Sequence, residues 1–156
     1  MIKLLSEKYL HSQKINFISI RLPGVLCKIG KNELKRPWLN VVFNKMKKNK
    51  SIFVHNIESK FNNVINTEEL VKFINFLIKK KIIIRDTFNF ACKKSLIMKK
   101  ILNKAKKKLN SKSKIVEIKS RHKNSFCISV KKLEQQLHFK PQTTKKVIEK
   151  HLEYFI

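Results

Sequence analysis

The chain has 156 residues, and its 37 Lys and Arg against 10 Asp and Glu give a net charge of +27. A protein with this charge attracts polyanions, and its positive charges repel one another when the free chain folds. The charge therefore excludes a protein that works without an anionic partner. Hydrophobic residues make up 42% of the chain and can build one modest core, which excludes a disordered tail. We therefore expect a folded chain with a polyanionic partner, with RNA ahead of DNA and of an anionic membrane.

The basic residues are mostly lysine, although arginine is the better bidentate phosphate ligand. Lys, Ile, Asn and Phe share AT-rich codons, so the bias indicates an AT-rich genome such as that of an organelle. Residues 1–10 lack the pattern of a targeting peptide, and charges interrupt each apolar window before 18 residues. We expect an organelle-encoded protein of the mitochondrial matrix and no membrane partner.

Residues 1–65 are predicted as an N-terminal extension of uncertain structure. Alternation at Ile18, Ile20 and Leu22 predicts a short strand. A short helix is predicted to begin at Pro37, with Trp38 at the start of its buried face.

Residues 66–81 carry the clearest helix pattern. Asn66 is a good N-cap, and Glu69 completes a capping box. Apolar residues recur at helical spacing after it, at Leu70, Phe73, Ile74, Leu77 and Ile78.

A second helical stretch is predicted to open at Asp86 and to reach Leu109, as one helix or as two. No acidic residue occurs between Asp86 and Glu117, whereas lysine recurs throughout this stretch. Solvated helix faces normally mix both signs, so this imbalance favours phosphate neutralisation.

Residues 114–130 change to β-rich runs, Ile115 to Ile118 and Phe126 to Val130, separated by a basic polar segment. This pattern predicts a β-hairpin with an exposed cationic tip. A last helix is predicted after Pro141. The predicted fold class is therefore mainly α: a helical bundle over 66–156 with a protruding β-hairpin.

The sequence shows no clear phosphate-binding loop, zinc site or catalytic group of acids. Gly24 and Gly30 have five residues between them, and a phosphate loop needs four. The histidines and the three cysteines show no zinc-ligand spacing, and the acids are explained as helix-end or solvated charges. We predict no metal, no cofactor and no enzymatic activity.

Two segments carry a family resemblance. Residues 69–78, ELVKFINFLI, resemble the first conserved helix of the small-subunit ribosomal protein seven family, and residues 115–121, IVEIKSR, are similar to the start of its hairpin. The resemblance implies a structural constituent of the mitochondrial small ribosomal subunit that binds head-domain rRNA and assists assembly. It implies neighbouring small-subunit proteins as partners, and mRNA or exit-site tRNA near the hairpin.

The rRNA-binding residues combine the basic helical stretch with positions that the resemblance implies. They are Lys79, Lys80, Lys81, Arg85, Lys93, Lys94, Lys99, Lys100, Lys106, Lys107, Lys108, Lys119, Arg121, His122 and Lys123.

Other functions remain as alternatives to this interpretation. The chain could be a different organellar ribosomal protein, or a DNA-packaging or transcription protein of an AT-rich genome. An RNA-processing enzyme would need its few acids to converge, and a peripheral membrane role would need a strongly amphipathic helix.

Overall fold

The computed structural model describes residues 2–27, 38–118 and 126–156. Helices and short strands alternate along these residues. In chain order they are α1 (Ile2–Ser12), β1 (Phe17–Arg21), β2 (Gly24–Leu26), α2 (Trp38–Lys47), β3 (Ile52–His55), β4 (Lys60–Phe61), β5 (Val64–Asn66), α3 (Thr67–Lys79), β6 (Arg85–Asn89), β7 (Leu96–Ile97), α4 (Met98–Lys108), β8 (Ile115–Ile118), α5 (Lys131–Leu137) and α6 (Thr144–Leu152), with a 3₁₀ turn at Glu153–Phe155.

The strands associate in pairs, and most of the pairs are parallel. β1 pairs with β6, β2 with β5 and β3 with β8 in parallel, whereas β4 and β7 are antiparallel. Parallel partners need a long crossover connection, and helices in such connections define the α/β class. The predicted class, a mainly α helical bundle, is therefore wrong: the fold is α/β. The hydrophobic pattern of a single segment does not show which distant strand that segment will pair with.

The predicted β-hairpin at 114–130 is also wrong. β8 pairs with β3, in the register Ile52↔Ile115 to His55↔Ile118. Residues 126–130 form no strand. The Asn62 side chain holds them instead, since its amide donates to the Ile128 carbonyl (2.8 Å) and its oxygen accepts from the Ile128 N–H (2.9 Å). The predicted tip falls on residues 119–125, outside the described residues.

The helix predicted from Asp86 is replaced there by strand β6. The Asp86 carboxylate accepts the N–H of the next residue, Thr87 (2.7 Å), and pairs with Lys132 instead of capping a helix. Phe88 is fully buried on this strand. The second part of the predicted stretch does form a helix, α4, with Ile101, Leu102 and Ala105 buried.

The helices predicted over 66–81 and after Pro141 are confirmed. The short helix predicted near residue 37 forms as α2, but Trp38, predicted on its buried face, is 42% exposed, and Pro37 lies outside the described residues. Asn66 caps α3 through its side-chain oxygen, which accepts the Glu69 N–H at 2.8 Å. Thr143 caps α6, whose inner face is fully buried. The short strand predicted around Ile18 and Ile20 is β1.

The buried side chains form two clusters. One joins α2, β3, α4 and α6 around Phe43, Leu102 and Val147. The other joins β6, α3 and α5 around Phe73, Phe88 and Leu133. The predicted boundary between residues 65 and 66 falls inside β5, and strands on both sides of it pair with one another.

Candidate functional site

A cavity of about 200 Å³ opens where α2, β3 and α4 meet. Its lining is mostly aromatic, and we call it the aromatic cleft. The lining residues are Trp38, Phe53, Val54, His55 and Met98.

Strand β3 supplies one wall of the cleft because side chains alternate along a strand. Ile52 and Val54 are buried on the core side, with 1% and 3% of their surface exposed. Phe53 and His55 therefore lie on the opposite face, and Phe53 keeps 55% of its surface exposed. An exposed phenylalanine beside a cavity is a ready surface for a flat ring.

The first turn of α2 supplies Trp38, which is 42% exposed. Two residues later, the buried Asn40 side chain accepts a hydrogen bond from the buried His151 ring (Nε2 to Oδ1, 2.6 Å). Since His151 belongs to α6, this bond attaches the start of α2 to the far side of the core. Trp38 thus stands on an anchored helix end.

Met98 is the first residue of α4, and its backbone is anchored as well. The Met98 N–H donates to the Ser59 carbonyl and the Lys99 N–H donates to the Ile57 carbonyl, each at 2.9 Å. Both acceptors lie in the segment between β3 and β4, so these bonds join the start of α4 to the residues that follow the strand carrying Phe53. The cleft is therefore set on regular elements that already contact one another.

The Nδ1 atom of His55 is buried and has no hydrogen-bond partner among the described residues. Buried polar atoms are almost always paired, so an orphaned one at a cavity wall indicates a ligand or an ordered water. With exposed aromatic faces beside it, the cleft can stack a flat heterocycle and offer it one hydrogen bond.

Two buried titratable groups carry no reactivity near neutral pH. Burial, helped by the nearby Glu69 charge, raises the pKa of the Cys92 thiol to about 12. Burial lowers the pKa of His151 to about 4, so its imidazole stays neutral. Cys92 is therefore an unreactive thiol, and His151 a structural hydrogen-bond donor.

Within the described ranges, no three His, Cys, Asp or Glu side chains come close enough to hold a metal ion. The helices of the same ranges are too short or too polar to cross a bilayer.

Several of the predicted rRNA-binding residues form ion pairs or hydrogen bonds within the protein. Lys99 pairs with Glu58 (2.7 Å), Lys108 with Glu153 (3.8 Å), and Arg85 donates to the His11 carbonyl. The remaining predicted positions that the structure describes do not line the aromatic cleft. Lys79, Lys80 and Lys81 end α3, Lys93 and Lys94 precede β7, Lys100, Lys106 and Lys107 lie on α4, and Lys119, Arg121, His122 and Lys123 are outside the described residues.

The acids serve tertiary contacts. Glu68 of α3 pairs with Lys150 of α6, Glu149 of α6 with Lys104 of α4, and Glu7 of α1 with Arg21 of β1. Each pair joins two elements, so these carboxylates do not converge on a reaction centre.

Sequence reasoning missed the aromatic cleft. The alternation of Ile52 to His55 was a usable signal, because it predicts a strand with Phe53 and His55 on its outer face. Nothing in the sequence showed that Trp38 and Met98 would meet that face.

No family model matches this sequence, and no curated protein matches it either. Its fold, however, resembles solved structures. UDP-glucose 4-epimerase from Thermotoga maritima, solved with UDP-glucose, superposes with a TM-score of 0.76 at 13% identity, covering 98% of this chain and 51% of the epimerase. dTDP-glucose 4,6-dehydratase from Bacillus anthracis, in complex with NAD, gives 0.72 at 10% identity, covering 98% and 49%. The Bordetella bronchiseptica enzyme WbmG, in complex with NAD and UDP, gives 0.74 at 13% identity, covering 98% and 48%.

These neighbours show a Rossmann-like α/β fold, and the chain spans about half the length of the solved structures it matches. They contradict the resemblance to ribosomal protein seven, which rested on one amphipathic helix and one short strand. The predicted role in the small ribosomal subunit is therefore wrong. The predicted partners, namely rRNA, ribosomal proteins, mRNA and tRNA, are wrong as well. The prediction that the chain is not an enzyme is contradicted too, because the neighbours are enzymes. The mitochondrial location stays a prediction.

NAD is bound by two of these neighbours, but the two strand–helix junctions that the structure describes in full do not meet its needs. A dinucleotide pyrophosphate sits on a glycine-rich turn between a strand and a helix. At the β5–α3 junction, Glu68 and Glu69 occupy the first helical turn and would repel phosphate. At the β7–α4 junction, the N–H groups of Met98 and Lys99 are already bonded. The whole chain holds only two glycines. The described residues therefore do not fit a dinucleotide site.

Proposed function

We propose that this chain is the nucleotide-sugar-binding part of an enzyme that modifies the sugar of a nucleoside diphosphate sugar. The observation that carries the proposal is the aromatic cleft with the orphaned His55 Nδ1, in a fold otherwise found in sugar-nucleotide epimerases and dehydratases. The base of the nucleotide is the ligand group that the cleft fits.

The chemistry of a pyrimidine base matches the cleft in two respects. Its flat ring can stack on Trp38 or Phe53, and base–aromatic stacking contributes about 1–3 kcal/mol per base. Its edge carries donors and acceptors, so it can satisfy the His55 Nδ1 atom in either tautomer. A volume of about 200 Å³ suits one ring, with the phosphates and sugar extending outside.

The net charge of +27 supports the same ligand class. A strongly positive protein attracts a diphosphate and raises its local concentration. This attraction is not selective, so we assign recognition to the cleft and only steering to the lysines.

Trp38 is the single tryptophan of the chain and reports on the cleft directly. We expect UDP-glucose to quench its fluorescence with saturation, whereas glucose 1-phosphate and inorganic pyrophosphate do not. Phe53→Ala should weaken UDP-glucose binding about 10-fold through lost stacking. The matched control is Phe126→Ala, because Phe126 is 67% exposed but does not line the cleft.

Quenching by pyrophosphate equal to that by UDP-glucose would contradict the proposal, since it would mean that only charge is recognised. Unchanged UDP-glucose affinity in Phe53→Ala would contradict it as well.

A further inference from the structure

Helix α3 carries apolar residues on its outer side as well as on its buried side. Phe73 is fully buried, whereas Val71, Ile74 and Ile78 are 54%, 42% and 68% exposed. Their spacing of three and then four residues places them in one stripe along the helix. A surface helix normally presents polar residues to solvent, so this apolar stripe indicates an interaction surface.

The turn after α3 is fixed against the end of the helix by its own backbone. The Lys81 N–H donates to the Ile78 carbonyl (3.1 Å), and the Ile82 N–H donates to the Leu77 carbonyl (3.2 Å). This pair of bonds is the Schellman arrangement, and it holds Lys81 at a φ of 47°. Ile83 follows in the same turn and is 77% exposed.

The charges next to the stripe are positive. Residues 70–85 contain no acidic residue. Lys79, Lys80 and Lys81 are exposed and form no ion pair with any residue that the structure describes. We call the exposed residues of the stripe and the turn the α3 surface, which consists of Val71, Ile74, Ile78, Lys79, Lys80, Lys81 and Ile83.

An apolar cavity of about 600 Å³ adjoins the turn. Phe76, Ile82 and Leu137 contribute to its lining, together with Lys80 and Ile83 of the α3 surface. The α3 surface therefore has room for part of a hydrocarbon chain beside cations that can hold an anionic head group.

The chemistry of the α3 surface separates its candidate occupants. Single-stranded RNA prefers aromatic side chains for stacking, and valine and isoleucine cannot supply them. Protein interface cores are depleted of lysine, whereas three lysines stand beside this stripe. A second copy of the chain would bring another charge of +27 and be repelled. An anionic bilayer offers hydrocarbon to the isoleucines and anionic head groups to the lysines.

We infer that the α3 surface attaches the chain to an anionic lipid bilayer, with α3 lying in the plane of the interface. Ile74, Ile78 and Ile83 enter the boundary between head groups and acyl chains, and the lysines pair with the head groups. The inference revises the expectation of no membrane partner, which did not foresee that apolar residues of α3 stay exposed. It goes beyond the proposed function, because it requires neither the aromatic cleft nor a sugar nucleotide.

Fluorescent probes at two isoleucines test where a bilayer contacts the chain. An environment-sensitive fluorescent amino acid replaces Ile83 in the full chain, and a matched one replaces Ile156, which is 73% exposed outside the α3 surface. We expect vesicles of equal parts phosphatidylcholine and phosphatidylserine to shift the emission of the Ile83 probe, and not that of the Ile156 probe, to shorter wavelength. Equal shifts from both probes, or no shift from the Ile83 probe, would overturn the inference.

The Ile83 probe also tests the other occupants. Polyuridylic acid, octanoate and increasing concentrations of the chain itself should each leave its emission unchanged. A shift as large as that produced by the vesicles would indicate RNA, a free acyl ligand or a second copy at the α3 surface, and each of these results would overturn the inference.

Lys81→Gly and Lys94→Gly form a matched pair for the charges. Both lysines are exposed and have a positive φ, 47° and 53°, which glycine adopts without strain, so each variant should fold. We expect Lys81→Gly to weaken vesicle binding about 5-fold, as for one lysine at an anionic surface, and Lys94→Gly to weaken it by less than about 2-fold. Equal losses would overturn the inference, because they would mean that only net charge matters. The UDP-glucose titration is independent of these outcomes, since neither lysine lines the aromatic cleft.

Discussion

His151 Nε2 lies 2.6 Å from Asn40 Oδ1, although the two residues are 111 positions apart. Both side chains are buried, with 1% and 2% of their surface exposed. The bond requires the proton on Nε2, which leaves Nδ1 as an acceptor without a partner among the described residues. A neutral imidazole thus connects the last helix with the helix end that carries Trp38.

This burial predicts an acid-dependent stability. The pKa of His151 falls from 6.5 to about 4 in the folded chain because of desolvation. Between those values the unfolded chain binds a proton that the folded chain does not, so stability is present above pH 6.5 and decreases as the pH falls towards 4. The free energy of unfolding, measured in urea, should drop by up to about 3 kcal/mol from this group over that range.

The matched variants for this effect are His151→Gln and His138→Gln. The amide introduced by His151→Gln cannot titrate, so the slope of stability against pH should become shallower in that variant. His138→Gln makes the same substitution at an exposed position and is the control. An identical slope in His151→Gln and in the unmodified chain would contradict the assignment.

The hydrogen bonds of the Asn62 side chain predict that replacing it will greatly reduce the free energy of unfolding. Its amide donates to the Cys92 and Ile128 carbonyls (2.8 Å each), and its oxygen accepts from the Ile128 N–H (2.9 Å). Asn62→Ala leaves these groups unsatisfied and should lower the free energy of unfolding by about 2–3 kcal/mol. Asn63→Ala, which loses one 3.2 Å bond to the Phe126 carbonyl, is the control. Equal decreases in the free energy of unfolding of the two variants would contradict a large stabilising contribution from the hydrogen bonds of Asn62.

The N-cap of α3 predicts a smaller effect. Asn66→Ala removes the acceptor of the Glu69 N–H and should cost about 1 kcal/mol in chemical denaturation. Asn75→Ala, at an exposed position of the same helix, should be neutral or slightly stabilising because alanine is the better helix former. A larger loss of stability in Asn75→Ala than in Asn66→Ala would contradict the stabilising role of the Asn66 cap.

His55 predicts a loss of affinity. His55→Ala removes the orphaned Nδ1 atom, so UDP-glucose binding followed by Trp38 fluorescence should weaken about 5- to 10-fold, as expected for one lost hydrogen bond. His138→Ala should bind as the unmodified chain does. If both variants bind alike while the Phe53→Ala variant is impaired, His55 has no contact with the ligand.

The local elements were largely predictable. The caps at Asn66 and Thr143 and the buried faces of α4 and α6 depend on neighbours within one or two turns. The buried face of α2 was predicted only in part, because Trp38 is exposed. Residues 86–89 were misread as the start of a helix because Phe88, Ala91 and Cys92 satisfy helical spacing, although Phe88 is the buried residue of strand β6 and the other two follow that strand. The hairpin was misread because two β-rich runs close in sequence favour pairing, although β8 pairs with the distant strand β3.

By itself the sequence determined the caps of α3 and α6, the apolar faces of α4 and α6, and the positive field, since each follows from residue types at short spacing. Tertiary structure decided the fold class and the aromatic cleft. These depend on parallel pairing between distant strands, and one burial pattern is compatible with several such pairings. The charge that first indicated RNA therefore describes only the protein's attraction for anions, and the cleft around Trp38, Phe53 and His55 is where we propose that a ligand is recognised.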